Sequence, residues 1–169
     1  MPSTFATATI KADIETVFDL ISRIEDFPLY ARALKEVRKV DHETYRWCAR
    51  ARGFSLTWDS VITEYKRPTR LAWRSIRGFD NSGAYTLTSS PAGTTVSLRI
   101  QYNFPSRVLE TLISPLVNPI TRALAAEVLA RVKERLEDGR AERLPAETST
   151  RGGRARAALI TRRHFSRHT

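Results

Sequence analysis

Few side chains in this sequence have the chemistry for acid–base or nucleophilic work, and their positions do not suit it. The three histidines are His42, in a predicted turn, and His164 and His168, near the C-terminal end. Cys48, the one cysteine, falls on the outward side of a predicted strand, with no histidine or helix N-terminus to favour its thiolate. A single cysteine also excludes an internal disulfide framework and a multi-cysteine zinc site. There is no glycine-rich phosphate loop, no nucleophile elbow and no metal-ligand spacing, so neither a cofactor nor a metal is expected.

Large aromatic side chains and small hydroxyls are what the sequence offers instead. Strand alternation places Tyr45, Trp47, Trp58, Trp73, Tyr85 and Tyr102 on one inner face, together with Ser60 and Ser75. Indole N–H and phenol O–H groups need partners when buried, and aromatic walls with a few polar points describe a small-molecule pocket. The candidate ligand-binding residues are therefore Trp47, Trp58, Ser60, Trp73, Ser75, Tyr85 and Tyr102. Periodicity alone is equally compatible with a filled aromatic core. No Asp, Glu or His falls on that face. Asp26, Asp80 and Asn81 belong to predicted loops. General acid–base catalysis needs a tunable group within reach of the substrate, so this inventory favours binding over catalysis.

The elements that must position these residues follow from local pattern. Residues 4–11 alternate loosely and read as an edge strand. Asp13 caps a helix running to about Arg23, with Thr16, Val17, Leu20, Ile21 and Ile24 on one face. Phe27-Pro28 opens a short second helix through about Leu34. Strands are predicted at 34–40, 44–52, 54–65, 70–77, 82–89 and 94–104. Their short turns argue for an antiparallel meander. Leu109 to Val117 form an apolar segment that either packs on the sheet or closes a cavity as a lid. Pro115 and Pro119 should interrupt it, and Asn118 should cap a fresh helix ending at Gly139. In that helix Ile120, Leu124, Val128, Val132 and Leu136 recur every four residues, widened by Ala123 and Leu129.

Composition sets the frame. The 169 residues are 41% hydrophobic, enough for one domain with a real core. No apolar run approaches the ~20 residues of a membrane span. The N-terminus lacks the pattern of a secretory signal, so the expected compartment is the cytoplasm. The net charge is +10. Residues 146–169 carry six arginines against Glu147 and lack periodicity. They read as a basic, disordered tail after a domain at 1–145. Such a tail suits RNA or an anionic membrane surface, through phosphate contacts and without DNA sequence readout.

The order of elements and several strings resemble the polyketide cyclase/dehydrase group of the START-like (SRPBCC, birch-allergen-like) superfamily. The strings are Val17-Phe18-Asp19-Leu20-Ile21-Ser22, Phe27-Pro28, Trp58-Asp59, Ile62-Thr63-Glu64, Leu71-Ala72-Trp73-Arg74-Ser75, Asn81-Ser82-Gly83, Gly93-Thr94-Thr95-Val96 and Lys133 to Glu137. Asn103-Phe104-Pro105-Ser106 is also similar to coenzyme Q-binding and ribosome-association members. The resemblance implies an α+β helix-grip fold: about seven antiparallel strands curved around a long C-terminal helix, two short helices after the first strand, and a hydrophobic cavity between sheet and helix. It also implies that Trp58, Trp73, Tyr85 and Tyr102 stand where cavity walls are expected. Three functions follow as expectations. The first is binding of a lipid, quinone or aromatic polyketide-like molecule. The second is a cyclase/dehydrase that positions its substrate, with Tyr85 or Tyr102 orienting carbonyls. The third is docking through the basic tail. No inward arginine of the kind aromatase members use is placed by the pattern.

Overall fold

The computed structural model describes residues 3–138, Arg52 excepted. The elements run β1 (Ser3–Ile10), α1 (Ile14–Ser22), a 3-10 helix (Ile24–Leu29), β2 (Leu34–Lys39), β3 (Thr44–Ala51), β4 (Phe54–Lys66), β5 (Arg70–Gly78), β6 (Asn81–Ser90), β7 (Gly93–Tyr102) and α2 (Arg107–Glu137). The predicted tail at 146–169, its boundary at 145 and the helix end at Gly139 lie outside the described residues. No described helix is long and apolar enough to cross a membrane.

The strands form one antiparallel sheet in the order β1-β7-β6-β5-β4-β3-β2. Tight turns pair each strand from β2 to β7 with its neighbour in sequence. Only β1 departs, pairing with β7 from Ser3↔Gln101 to Ile10↔Thr94. The two short helices carry the chain from one sheet edge to the other. This is the helix-grip arrangement. Gly93 makes the β6–β7 turn possible: its φ is +122°, and a Cβ there would sit 2.1 Å from the Ile10 carbonyl oxygen.

Asp13 caps α1 by accepting the Thr16 N–H at 2.9 Å. Val17, Phe18, Leu20 and Ile21 form the buried face. Thr16, expected on that face, is exposed because its hydroxyl turns back to Asp13. The second helix is shorter than expected. It is a 3-10 segment, and Leu34 already belongs to β2.

The largest departure is α2, which is one continuous helix of 31 residues, about 46 Å long at 1.5 Å per residue. Pro115 and Pro119 do not break it, and Asn118 lies inside it rather than capping a new one. The two prolines are four residues apart and both exposed. The carbonyls they leave without helical donors therefore face solvent, where water can serve them. Ala123 is exposed, and Ala125 takes its expected place beside the buried Val128, Leu129 and Val132.

α2 packs chiefly along β1, not across the middle of the sheet. Polar ties fix it there. The Lys133 ammonium donates to the Thr9 carbonyl at 3.0 Å, and the Lys11 N–H donates to a Glu137 carboxylate oxygen at 2.8 Å. Thr4 and Thr121 hydroxyls meet at 3.1 Å.

On the convex face, Arg46 and Asp59 are register partners in β3 and β4. They form two parallel bonds, Nε–Oδ1 at 2.7 Å and Nη2–Oδ2 at 2.8 Å. These bonds hold the Asp59 carboxyl below the usual aspartate range, against the opposing effect of burial. A depressed folded pKa stabilises the fold above the unfolded value of about 3.9, and that contribution disappears as pH falls through the folded value. Asp59→Asn should therefore cost about 1 kcal/mol near pH 7, since Arg46 is partly exposed and screened. The variant should also show a shallower loss of stability below pH ~4 than the wild type. Urea unfolding across pH 2–7 checks both; parallel curves would disprove the assignment.

Candidate functional site

The concave face carries the expected alternation. Val96, Leu98, Tyr85, Leu87 and Leu71 are buried there. Toward β3, β4 and β5 the same face is built of tryptophans. Trp47 and Trp58 are directly opposed in register, and their rings stack with centroids 5.8 Å apart and planes 6° apart. Phe27 hangs from the 3-10 helix and meets Trp47 edge-on at 5.8 Å and Tyr85 at 6.0 Å. Tyr85 continues the series to Trp73 at 5.7 Å. The result is a continuous aromatic wall.

This wall, with Val117, Ile120, Leu124 and Val128 of α2 opposite, encloses a cavity of about 480 Å³. Trp47, Trp58, Trp73 and Tyr85 all line it. Leu56, at the start of β4, lines it while 43% exposed, and marks where the wall meets solvent. Among the described residues no carboxylate, imidazole, amine, guanidinium or thiol lines the cavity.

Ser60, Ser75 and Tyr102 do not line the space. They hold the residues that do. Ser60 is 0% exposed and accepts the Trp47 indole N–H at 2.8 Å. Ser75 accepts the Asn81 backbone N–H at 3.0 Å. Asn81 in turn accepts the Trp73 indole N–H at 3.2 Å and donates its amide to the Phe79 carbonyl at 2.8 Å. The Tyr102 hydroxyl donates to Asn118 Oδ1 and also receives the Thr121 hydroxyl at 3.4 Å, joining β7 to α2.

Phe27, Phe79, Asn81 and Thr121 were not among the expected site residues, yet all four line the cavity. Asn81 read as a turn residue, and its side chain proves to orient Trp73. Phe27 precedes a proline in a short helix, and only the return of that helix over the sheet edge brings it to the wall. For the Leu109–Val117 segment the structure gives helix throughout and places Val117 at the cavity. Side chains at 109, 112, 113 and 116 lie outside the described set.

Residues 1–137 match the family described as polyketide cyclase / dehydrase and lipid transport. The chain belongs to this family. Among solved structures it is similar to a protein of Thermus thermophilus, at 23% identity, TM-score 0.72, and 82% and 99% coverage of the two chains. It is also similar to a START superfamily protein from Mycobacterium smegmatis, at 14% identity, TM-score 0.65, and 80% and 97% coverage. The di-domain ARO/CYC StfQ from the steffimycin biosynthetic pathway aligns at 11% identity and TM-score 0.66, over 82% of this chain and 51% of that one. These likenesses establish a shared fold. No curated protein sequence matches the chain.

Gly83 sets how close that wall can come to the strand beneath it. A Cβ at Gly83 would lie 2.3 Å from the Trp73 ring and 2.7 Å from the Arg99 carbonyl oxygen. Backbone on one side and a hydrogen-bonded indole on the other leave little room to yield. Gly83→Ala should lower stability by about 1–3 kcal/mol through overpacking and displace Trp73 from Asn81. Urea unfolding and tryptophan fluorescence check this; unchanged midpoint and emission would show that the ring is not held as described.

Proposed function

We propose that this protein binds a hydrophobic, ring-containing small molecule in the cavity between the sheet and α2. The observation that carries the reading is the cavity itself, a volume of about 480 Å³ walled by stacked aromatics with no charged side chain among its described lining residues. It falls within the roughly 300–1,000 Å³ range of small-molecule sites. Apolar surface withdrawn from water supplies the affinity, at about 25 cal/mol per Å². Flat aromatic rings favour offset or edge-on contact with ligand rings. Membership of a family described by both lipid transport and cyclase/dehydrase activity supports the same class of ligand.

A second reading is catalysis by positioning, in which the cavity holds a polyketide-like chain in a folded shape. The family description favours it. The absence of a carboxylate or imidazole from the described wall removes the usual proton carriers, so any rate gain would come from conformation and hydrogen bonding. Binding comes first in either reading.

Native mass spectrometry of freshly purified protein, followed by denaturing extraction, tests the proposal. A defined apolar molecule should accompany the chain, and Leu124→Trp, which fills the cavity from α2, should abolish its retention while leaving the circular dichroism spectrum unchanged. An unliganded mass combined with failure to take up added fluorene would overturn the reading.

A further inference from the structure

We propose that the convex face of the sheet, turned away from the cavity, is a docking surface for double-stranded RNA, held through its phosphates and ribose hydroxyls. The proposal is independent of what the cavity binds.

Strand register collects positive charge on this face. Arg38, Arg46, Asp59 and Arg77 stand in one row across β2 to β5. Arg74 lies in the next row, with Ser82 and Gln101 beside it on β6 and β7. Arg99 follows one row further along β7, opposite Phe5 of β1. The carboxylates of these strands are already taken. Glu36 pairs with Arg38 at 3.9 Å, Asp59 with Arg46 at 2.7 Å and Glu64 with Arg70 at 2.6 Å. Arg50, Arg74, Arg77 and Arg99 are exposed and form no ion pair among the described residues.

The helices pack on the concave side, so no described element covers these guanidiniums. The C-terminal sequence has the wrong sign to neutralise them: residues 146–169 bring six arginines against Glu147. An uncompensated field of this kind attracts an anionic partner from outside the chain.

Side-chain type narrows that partner. The planar guanidinium fork matches phosphate oxygens. Ser82, Gln101 and Ser97 add donors and acceptors suited to ribose hydroxyls. Phe5 is the exposed aromatic ring that register places on this face. One ring is no platform for successive unstacked bases, which disfavours a single strand. The minor groove of an RNA duplex is wide and shallow and displays 2′-hydroxyls. A convex polar sheet fits such a groove, with its arginines reaching phosphates at the rims. Contacts of that kind position the partner without reading its sequence. A flat bilayer would meet a convex sheet along a narrow strip and gain little apolar insertion from Phe5.

Fluorescence anisotropy of a labelled RNA duplex of about 20 base pairs tests the proposal, with the full chain and with Arg74→Gln/Arg77→Gln/Arg99→Gln. The C-terminal arginines are the same in both proteins, so the difference reads the sheet face. The wild type should bind the duplex more tightly than the DNA duplex of the same sequence, a single-stranded oligouridine or phosphatidylserine vesicles. The triple variant should bind at least about tenfold more weakly. Between about 50 and 200 mM salt its log–log slope should be shallower by about two to three, near one per lost phosphate contact. Each single variant should lower the slope by about one, which keeps the test intact if the triple variant unfolds. Equal affinity and slope in wild type and variants overturn the proposal, as does failure of the wild type to bind the duplex at about 50 mM salt. Tighter binding of oligouridine or vesicles, lost in the triple variant, overturns the choice of partner.

Discussion

The structure depends on where α2 is fastened. Its buried face, from Ala125 to Val132, lies along the β1 side of the sheet. The Lys133–Thr9 and Lys11–Glu137 contacts at one end, and the threonine and Tyr102–Asn118 contacts further along, hold that line. A helix fixed along one margin of a curved sheet cannot also fill the opposite half. The concave surface of β3, β4 and β5 is therefore left to the 3-10 helix and to its own side chains.

Those side chains are bulky enough to keep the gap from collapsing. Stacking of Trp47 on Trp58 pairs two indoles across neighbouring strands, and Phe27 braces them toward Tyr85. Hydrogen bonds from Trp47 to Ser60 and from Trp73 to Asn81 fix ring orientation and satisfy buried N–H groups. Close packing in a protein interior normally tolerates no void of this size. Here Trp47 and Trp73, each anchored by its indole N–H, stand in the wall across from the helix and leave apolar surface open between them.

Polarity is distributed by face. The guanidinium of Arg46 and the carboxylate of Asp59 meet on the convex surface, one residue along each strand from Trp47 and Trp58. Strand alternation thus places an ion pair and an aromatic stack back to back through the same two strands. Among the described residues the cavity lining is free of charge, and the Arg46–Asp59 pair of β3 and β4 is committed to the other side.

Much of this was legible in the sequence. A period of two identifies the inner faces of β3, β5, β6 and β7, where one face is apolar and the other is not; in β4 Val61 is apolar as well, and the pairing of Trp58 with Trp47 decides the face. Asp13 marked the start of α1, and short polar turns dictated an antiparallel order. Proline rules misread α2, since exposed prolines four residues apart leave their orphaned carbonyls to water and permit the helix to continue. Residue type and spacing could name Trp47, Trp58, Trp73 and Tyr85, but they could not tell a lining residue from its support. Ser60, Ser75 and Tyr102 share the inward parity of the lining residues on their own strands. Only the tertiary structure decides which of them faces open space, because that depends on the path of α2 and on the return of Phe27 over the sheet, both set by contacts between residues far apart in the chain.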